Sequence, residues 1–206
     1  MTFLFDIGNV LLKLHFERFH QVVFGLPTPL PPEPHIPEIL DNINAPYETG
    51  EISCDDFVTR SLAAIPQKLT SPEFIAAWND IFSLNAPMWE VVRHLKENGH
   101  RLILFSNTNT LHARAFLAQH SEFSLFDHHH FSQDVGANKP HDAFYQKALD
   151  QYHLVPAETF YLDDLPANIA TGKRFGFQSW QYNLNDHPAC LDWLSKIPSA
   201  GPLPPS

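Results

Sequence analysis

Cysteine is almost missing from this chain: only Cys54 and Cys190 occur in 206 residues, far apart and in no metal-ligand spacing. That excludes a disulfide framework and points to reduced thiols in a cytoplasmic setting. Cations are scarce too. Thirteen Lys and Arg face 23 Asp and Glu, a formal net charge of −10. Such a balance argues against nucleic acid or an anionic membrane as a partner. An anionic substrate would therefore need a metal ion or a few local cations to hold it. No apolar run is long enough to span a bilayer. No basic segment followed by an apolar stretch precedes the first strand, so no secretory signal is expected. There is no internal repeat, and nothing in the sequence sets an oligomeric state.

Apolar residues are plentiful. They make up 44% of the chain, with 17 Phe and 4 Trp, enough for a sizeable core in one domain or one domain carrying an insert. The rest is organised around the stretch Phe3-Leu4-Phe5-Asp6-Ile7-Gly8-Asn9-Val10-Leu11-Leu12. A near-continuous apolar run reads as a buried parallel strand. In open α/β sheets, ligands bind just beyond the carboxyl ends of such strands, which is where Asp6 falls. Taken alone, Asp6 reads equally well as a cap at an ordinary strand-to-turn junction.

In chain order, strand and turn end near Leu14. Residues 25–37 are proline-dense and can neither continue a helix nor enter a sheet interior, so they read as a stiff loop or linker. From Glu38 to Ser83 the pattern is helical, with no strand expected. Ile39, Leu40 and Ile43 fall at helical spacing, and Ser53-Cys54-Asp55-Asp56 reads as an N-cap with an acidic first turn. Ser71-Pro72-Glu73 opens a further helix with proline at its first position, running through Phe74, Ala77, Trp78 and Phe82.

A strand-helix alternation follows. Trp89 to Asn98 reads as a helix ended by Gly99, and Arg101 to Ser106 as a strand closing on the polar turn Asn107-Thr108-Asn109. Leu111 to Gln119 is helical and Phe131-Ser132 a short strand. Ala143 to Tyr152 is helical, and Thr159 to Asp163-Asp164 is a strand ending in acids. Ala167 to Gly176 and Gln178 to Tyr182 are a last helix and strand, and the tail 201–206 is expected to lack fixed structure. This alternation means an α/β fold, a Rossmann-like parallel sheet flanked by helices. Residues 1–14 and 86–200 are expected to form it, with 15–85 a small helical unit inserted after the first strand.

Three of those strands end in Asp6, Ser106 and Asp163-Asp164, and parallel strands bring such ends to one edge. Lys139 follows a turn in the same half of the chain. Carboxylates suit Mg²⁺, which takes oxygen ligands. A hydroxyl, turn amides and a lysine suit a phosphate. An aspartate beside Mg²⁺ is a competent nucleophile toward phosphorus.

Phe5-Asp6-Ile7-Gly8-Asn9-Val10, Leu104-Phe105-Ser106-Asn107-Thr108-Asn109, Lys139-Pro140 and Leu162-Asp163-Asp164 resemble, in order, the four motifs of the haloacid dehalogenase superfamily. Residues 15–85 look like its helical cap. The Asp-x-Gly-Asn-Val form, Gly50-Glu51-Ile52-Ser53 and Ser-Asn-Thr-Asn resemble the branch containing α-D-glucose-1-phosphate phosphatases. The resemblance implies Asp6 as nucleophile, with Ser106 and the backbone N–H of Asn107 holding phosphoryl oxygens and Lys139 neutralising them. It also implies a Mg²⁺ site built from Asp6, the backbone carbonyl of Gly8, Asp163 and Asp164, the last directly or through water.

There is one departure. Most phosphatases of the superfamily carry an aspartate two residues after the nucleophile as general acid and base, and here that position is Gly8. Such a group is worth about 10²–10⁴-fold, and the Asn9 amide does not titrate. A cap residue or water serves instead, or the enzyme is slow, or the chain is not an enzyme. With no proton donor, rate should depend steeply on leaving-group basicity and favour a sugar 1-phosphate over the 6-phosphate. A donor from the cap or His112 would flatten that dependence.

Other residues invite roles. Side chains of His128-His129-His130 cannot converge on one ion if the run is extended, so a surface or strand-entry role is expected. His112 either faces the site or caps and covers a helix. Trp78 and Phe82 are spaced for one helix face and read as core. His15 and Phe16 lie where substrate contacts are conceivable. The leading expectation is a Mg²⁺-dependent phosphatase of a small phosphorylated metabolite. A 2-haloacid dehalogenase, disfavoured by the paired acids, and a catalytically weak binding or regulatory protein are the alternatives.

Overall fold

The structure, a computed structural model, describes residues 1–25 and 38–197. Most of the proline-dense segment and the tail lie outside the described residues. From the N-terminus, β1 (Thr2–Phe5) passes through a tight turn into β2 (Leu12–Leu14). Four helices follow, α1 (Phe16–Phe24), α2 (Glu38–Glu48), α3 (Cys54–Ala64) and α4 (Ser71–Asn79), and then β3 (Phe82–Leu84). The chain goes on through α5 (Ala86–Glu97), β4 (Arg101–Ser106), α6 (Thr110–Gln119), β5 (His128–Phe131) and the single turn α7 (Ser132–Val135). It closes with α8 (Asp142–Tyr152), β6 (Thr159–Asp163), α9 (Pro166–Arg174), β7 (Gln178–Gln181) and α10 (His187–Ser195).

The expected parallel sheet is there, in the order β5-β4-β1-β6-β7. Its apolar runs are buried on both faces because side chains alternate along a strand. Phe3 and Phe5 join Leu102, Leu104, Phe160 and Leu162 in a layer covered by α5 and α10. Leu4 joins Ile103, Phe105 and Tyr161 in the opposite layer, under α8 and α9. Chain order runs outward from β1 through β4 to β5, then returns to β6 on the other flank. Strand order therefore reverses at the β1/β6 boundary, the place where open α/β sheets leave a ligand crevice.

Helices α1–α4 have a core of their own, dominated by Phe19, Tyr47, Phe57, Phe74 and Trp78. Tyr47 stacks on Phe57 at 4.4 Å between ring centroids. Ser53 caps α3 as expected, its side chain accepting from Asp56 N. For α4 the cap is Thr70, in a reciprocal capping box with Glu73, so two orphan helix donors are satisfied at once.

Three sequence expectations need correction. Phe82 to Leu84 is a strand, not the end of a helix, and it pairs antiparallel with β2. Three residues are too few to show a period, and the partner lies about 70 residues away in sequence. Phe82 therefore does not share a helix face with Trp78. Ser132 opens α7, and the strand before it is the histidine run itself, which pairs with Ile103 to Ser106. Helices α1 and α10 were not expected, although Phe16, Phe19, His20 and Val23 do carry helical spacing.

His130 is fully buried, donating from Nε2 to Phe144 O at 3.0 Å. His112 is buried too, stacked on Trp78 at 4.7 Å. Burial lowers the pKa of both to about 4. Unfolding exposes them to water, where they take a proton below about 6.5. Stability should then be full above that pH and fall as pH drops toward 4, each ring costing about 2 kcal/mol by pH 5. Chemical denaturation at pH 7.5 and 5 measures this. His130→Gln should lose about 2 kcal/mol less than the wild type over that interval. An equal loss would mean that His130 is already protonated in the native state.

Candidate active site

The edge at the carboxyl ends of β4, β1 and β6 collects the residues singled out in the sequence. Lys139, from the turn before α8, reaches across all three strands. Its Nζ donates to Phe105 O and to Asp6 Oδ1, both at 2.8 Å, and to Asp163 Oδ2 at 2.6 Å. An ammonium has three donors, and all three are used. Lys139 is 4% exposed, Asp6 7% and Asp163 not at all, so each charge is taken out of water and held by the others.

The electrostatics follow from that burial. Desolvation pushes Asp6 up to about 7; Lys139 pulls it back, while Asp163 and Asp164 add repulsion. For Lys139, burial opposes the charge, but the two carboxylates together outweigh it and hold its pKa above the ordinary value. Burial also raises Asp164, against a hydrogen bond from Asn9.

The paired acids differ in how they are used. Asp163 Oδ2 accepts from Lys139 and from Tyr161 OH at 2.5 Å, and Oδ1 accepts from Leu165 N and Asn168 Nδ2, both at 2.9 Å. Its hydrogen-bonding capacity is filled by the protein. Asp164 is partly exposed and accepts from Asn9 Nδ2 at 3.2 Å, with Asn9 in the left-handed region (φ 53°). Asp6, Asp163 and Asp164 each offer a carboxylate oxygen within 4.8 Å of the others. This all-oxygen, acidic donor set fits a hard divalent cation such as Mg²⁺. Among the described residues it is the one such cluster; the histidines of β5 do not form another.

The loop after β4 is braced from two sides. Asn107 Nδ2 donates to Lys139 O at 2.9 Å, and Lys139 N donates to Asn107 Oδ1 at 2.8 Å. Ser132 Oγ accepts from Thr108 N and donates to Thr108 O, each at 3.0 Å. Asn109 caps α6, its side chain accepting from His112 N. Ser106 and Asn107 thus stand at the N-terminus of a helix, where an anion is favoured. Sequence reasoning missed Ser132, Tyr161 and Asn168, none of which belongs to a recognisable motif.

Two cavities flank the site. An open cleft of about 530 Å³ lies beside Asn9 and Asp164. A smaller space of about 120 Å³ lies between the sheet edge and the helical unit, lined by Gly8, Ser106, Asn107, Asn44 and Glu48 among others. Phe16 and His112 also border it, but His112 is fully engaged. Its Nδ1 accepts from Asn109 Nδ2 at 3.1 Å and its Nε2 donates to Trp78 O at 2.9 Å. His15 is taken up by Ser83 Oγ at 2.6 Å and Glu17 at 3.2 Å.

A sheet edge of this design, with two strand-end acids bridged by a buried lysine, is that of a hydrolase family the chain matches directly. The protein belongs to the haloacid dehalogenase-like hydrolases, whose family model matches residues 1–176. It is 28% identical over 143 residues to a D-ribitol-5-phosphate phosphatase from Bacteroides thetaiotaomicron, covering 65% of this chain and 68% of that one. A HAD-like family hydrolase from Porphyromonas gingivalis superposes with a TM-score of 0.77 at 26% identity, over 95% of this chain and 98% of the other. A HAD family enzyme from Bacteroides thetaiotaomicron, solved with magnesium and inorganic phosphate, shares the fold at TM-score 0.75 and 21% identity, over 89% and 94% of the chains. No described helix is long and apolar enough to cross a membrane.

Removing the lysine should show what it holds. In EDTA at pH 8, Lys139→Met should cost about 3–5 kcal/mol by chemical denaturation, because two buried carboxylates lose their partner. The raised pKa of Asp6, about 7, means that folding loses stability as pH rises through that value. The cost should therefore shrink at pH 5, where Asp6 carries a proton. An equal cost at both pH values would assign the effect to packing of the lysine stem.

Proposed function

We propose that this protein is a Mg²⁺-dependent phosphatase of small phosphorylated metabolites, sugar or polyol phosphates, working through an aspartyl-phosphate. One observation carries the reading: Lys139 joins the nucleophile position Asp6 to Asp163 beside the Ser106-Asn107 turn. The curated relative that acts on a polyol phosphate supports the substrate class.

Asp6 attacks phosphorus through a carboxylate oxygen, and the ester P–O bond breaks. Ser106 Oγ and the N–H of Asn107 bind phosphoryl oxygens at the start of α6, and Lys139 adds positive charge where the transition state is most negative. Asp6 and Asp164, with the Gly8 carbonyl, would hold Mg²⁺, which when bound neutralises phosphate charge and polarises the P–O bonds. Asp163 has its oxygens occupied, so its part is to position Lys139. Water then attacks the aspartyl-phosphate and releases phosphate.

A screen of phosphate esters with and without Mg²⁺ tests this. Turnover should stop in EDTA and return with Mg²⁺. Asp6→Asn should keep the fold and lose at least about 10³-fold in kcat. Asp164→Asn should raise the half-saturating Mg²⁺ concentration at least about tenfold, whereas Asp163→Asn should mainly lower kcat/KM. Full activity after metal removal would favour dehalogenase-type chemistry and overturn the proposal.

A further inference from the structure

Gly8 leaves the proton-transfer step without its usual residue, and the tip of Leu14 lies close over that position. A Cβ on Gly8 would meet Leu14 Cδ1 at 3.2 Å. The small cavity that Gly8 lines is also lined by Glu48, the last residue of α2. Of the described side chains around that cavity, Glu48 and His112 are the titratable ones. His112 has both ring nitrogens committed and is held neutral by burial. Glu48 remains.

Two anchors clamp the backbone on either side of Glu48. Tyr47 OH accepts from Leu111 N at 3.0 Å, in the first turn of α6. Gly50 sits at φ +73° so close to α7 that a Cβ would stand 2.5 Å from Gln133 O. Only glycine fits there. Between these anchors the Glu48 carboxyl is fixed by Asn44, whose Nδ2 donates to Oε1 at 2.9 Å. Asn44 lines the same cavity, and its Oδ1 is buried with no hydrogen-bond partner among the described residues. A buried acceptor of this kind is costly unless a ligand or water supplies a donor.

We propose that Glu48, delivered by α2, is the general acid and base of this enzyme, with Asn44 as its positioning residue. The inference rests on the phosphatase reading above. As Asp6 attacks and the ester P–O bond breaks, the Glu48 carboxyl gives its proton to the departing oxygen. In the second half-reaction the resulting carboxylate takes a proton from water, whose oxygen attacks phosphorus. The bond to Asp6 breaks, phosphate leaves, and the carboxyl is restored. Burial raises the Glu48 pKa, with the Asn44 hydrogen bond opposing and Asp41 on the same helix adding to the rise. The elements packed against α2 also carry Asp55, Asp56 and Arg60 on α3 and Asp134 on α7, and neutral His112 lines the same cavity. An environment that favours the neutral carboxyl suits a general acid.

The test is kcat/KM and rapid-mix kinetics of the full-length protein with Mg²⁺, across aryl and alkyl phosphates of graded leaving-group pKa. The wild type should show a shallow dependence. Glu48→Gln should lose about 10²–10⁴-fold in kcat/KM on alkyl phosphates but change little on p-nitrophenyl phosphate. With that substrate the variant should release a burst of about one nitrophenol per active site, because water attack now lacks its base. The limb of the wild-type kcat/KM–pH profile that reports the acid should vanish in the variant, and Glu48→Asp should show an intermediate leaving-group slope. A uniform loss across all leaving groups, or an unchanged slope and pH profile, would overturn the role of Glu48 while the phosphatase reading stands. A wild type that turns over none of these esters with Mg²⁺ would overturn both.

Discussion

The Lys139 ammonium is the interaction on which the active edge depends. Its three acceptors come from three adjacent strands: the Phe105 carbonyl of β4, Asp6 after β1, and Asp163 of β6. Two carboxylates this close would repel and drive each other toward protonation. A cation between them makes their coexistence possible, and the sheet order β4-β1-β6 is what allows one side chain to reach both. Buried ion clusters of this kind add little to stability relative to apolar packing, yet losing one member is expensive. The arrangement is therefore better understood as preorganised charge for a reaction than as a structural rivet.

The same logic separates the two neighbouring acids. Successive residues at a strand end point in opposite directions, so Asp163 turns into the protein and Asp164 toward the cleft. Asp163 is surrounded by four donors, Lys139, Tyr161, Leu165 and Asn168. Asp164 has one long hydrogen bond and an open side. Paired acids that look redundant in sequence thus differ in their surroundings, one held by the protein and the other facing the cleft.

Much of this was legible beforehand, and the reason is physical. Apolar runs of four to six residues that end in a polar side chain mark buried parallel strands, and β1, β4 and β6 fell where the runs were. Asp6, Ser106, Asn107, Lys139, Asp163 and Asp164 sit at those ends or in the turn that reaches them, so the fold rule alone gathers them at one edge. What failed was of another kind. β3 is defined by a partner strand far away in the chain and carries no period of its own. The strand at His128–Phe131 was placed too late because three histidines do not read as β-forming. Ser132, which holds the Thr108 backbone, and Tyr161 and Asn168, which hold Asp163, act through contacts that no local pattern encodes.

His112 and Glu48 differ in what burial does to them. In sequence, His112 looks the better proton carrier, because it follows the Ser106 turn closely and titrates near neutrality. Burial against Trp78 and two hydrogen bonds remove it from that role. Glu48 lies 58 residues before Ser106 in the chain and is brought over the site by Tyr47 and Gly50, whose contacts are with α6 and α7. The helical unit is therefore more than a cover. If the proton donor is carried on α2, then the contacts that seat α2 on the sheet edge also complete the catalytic set.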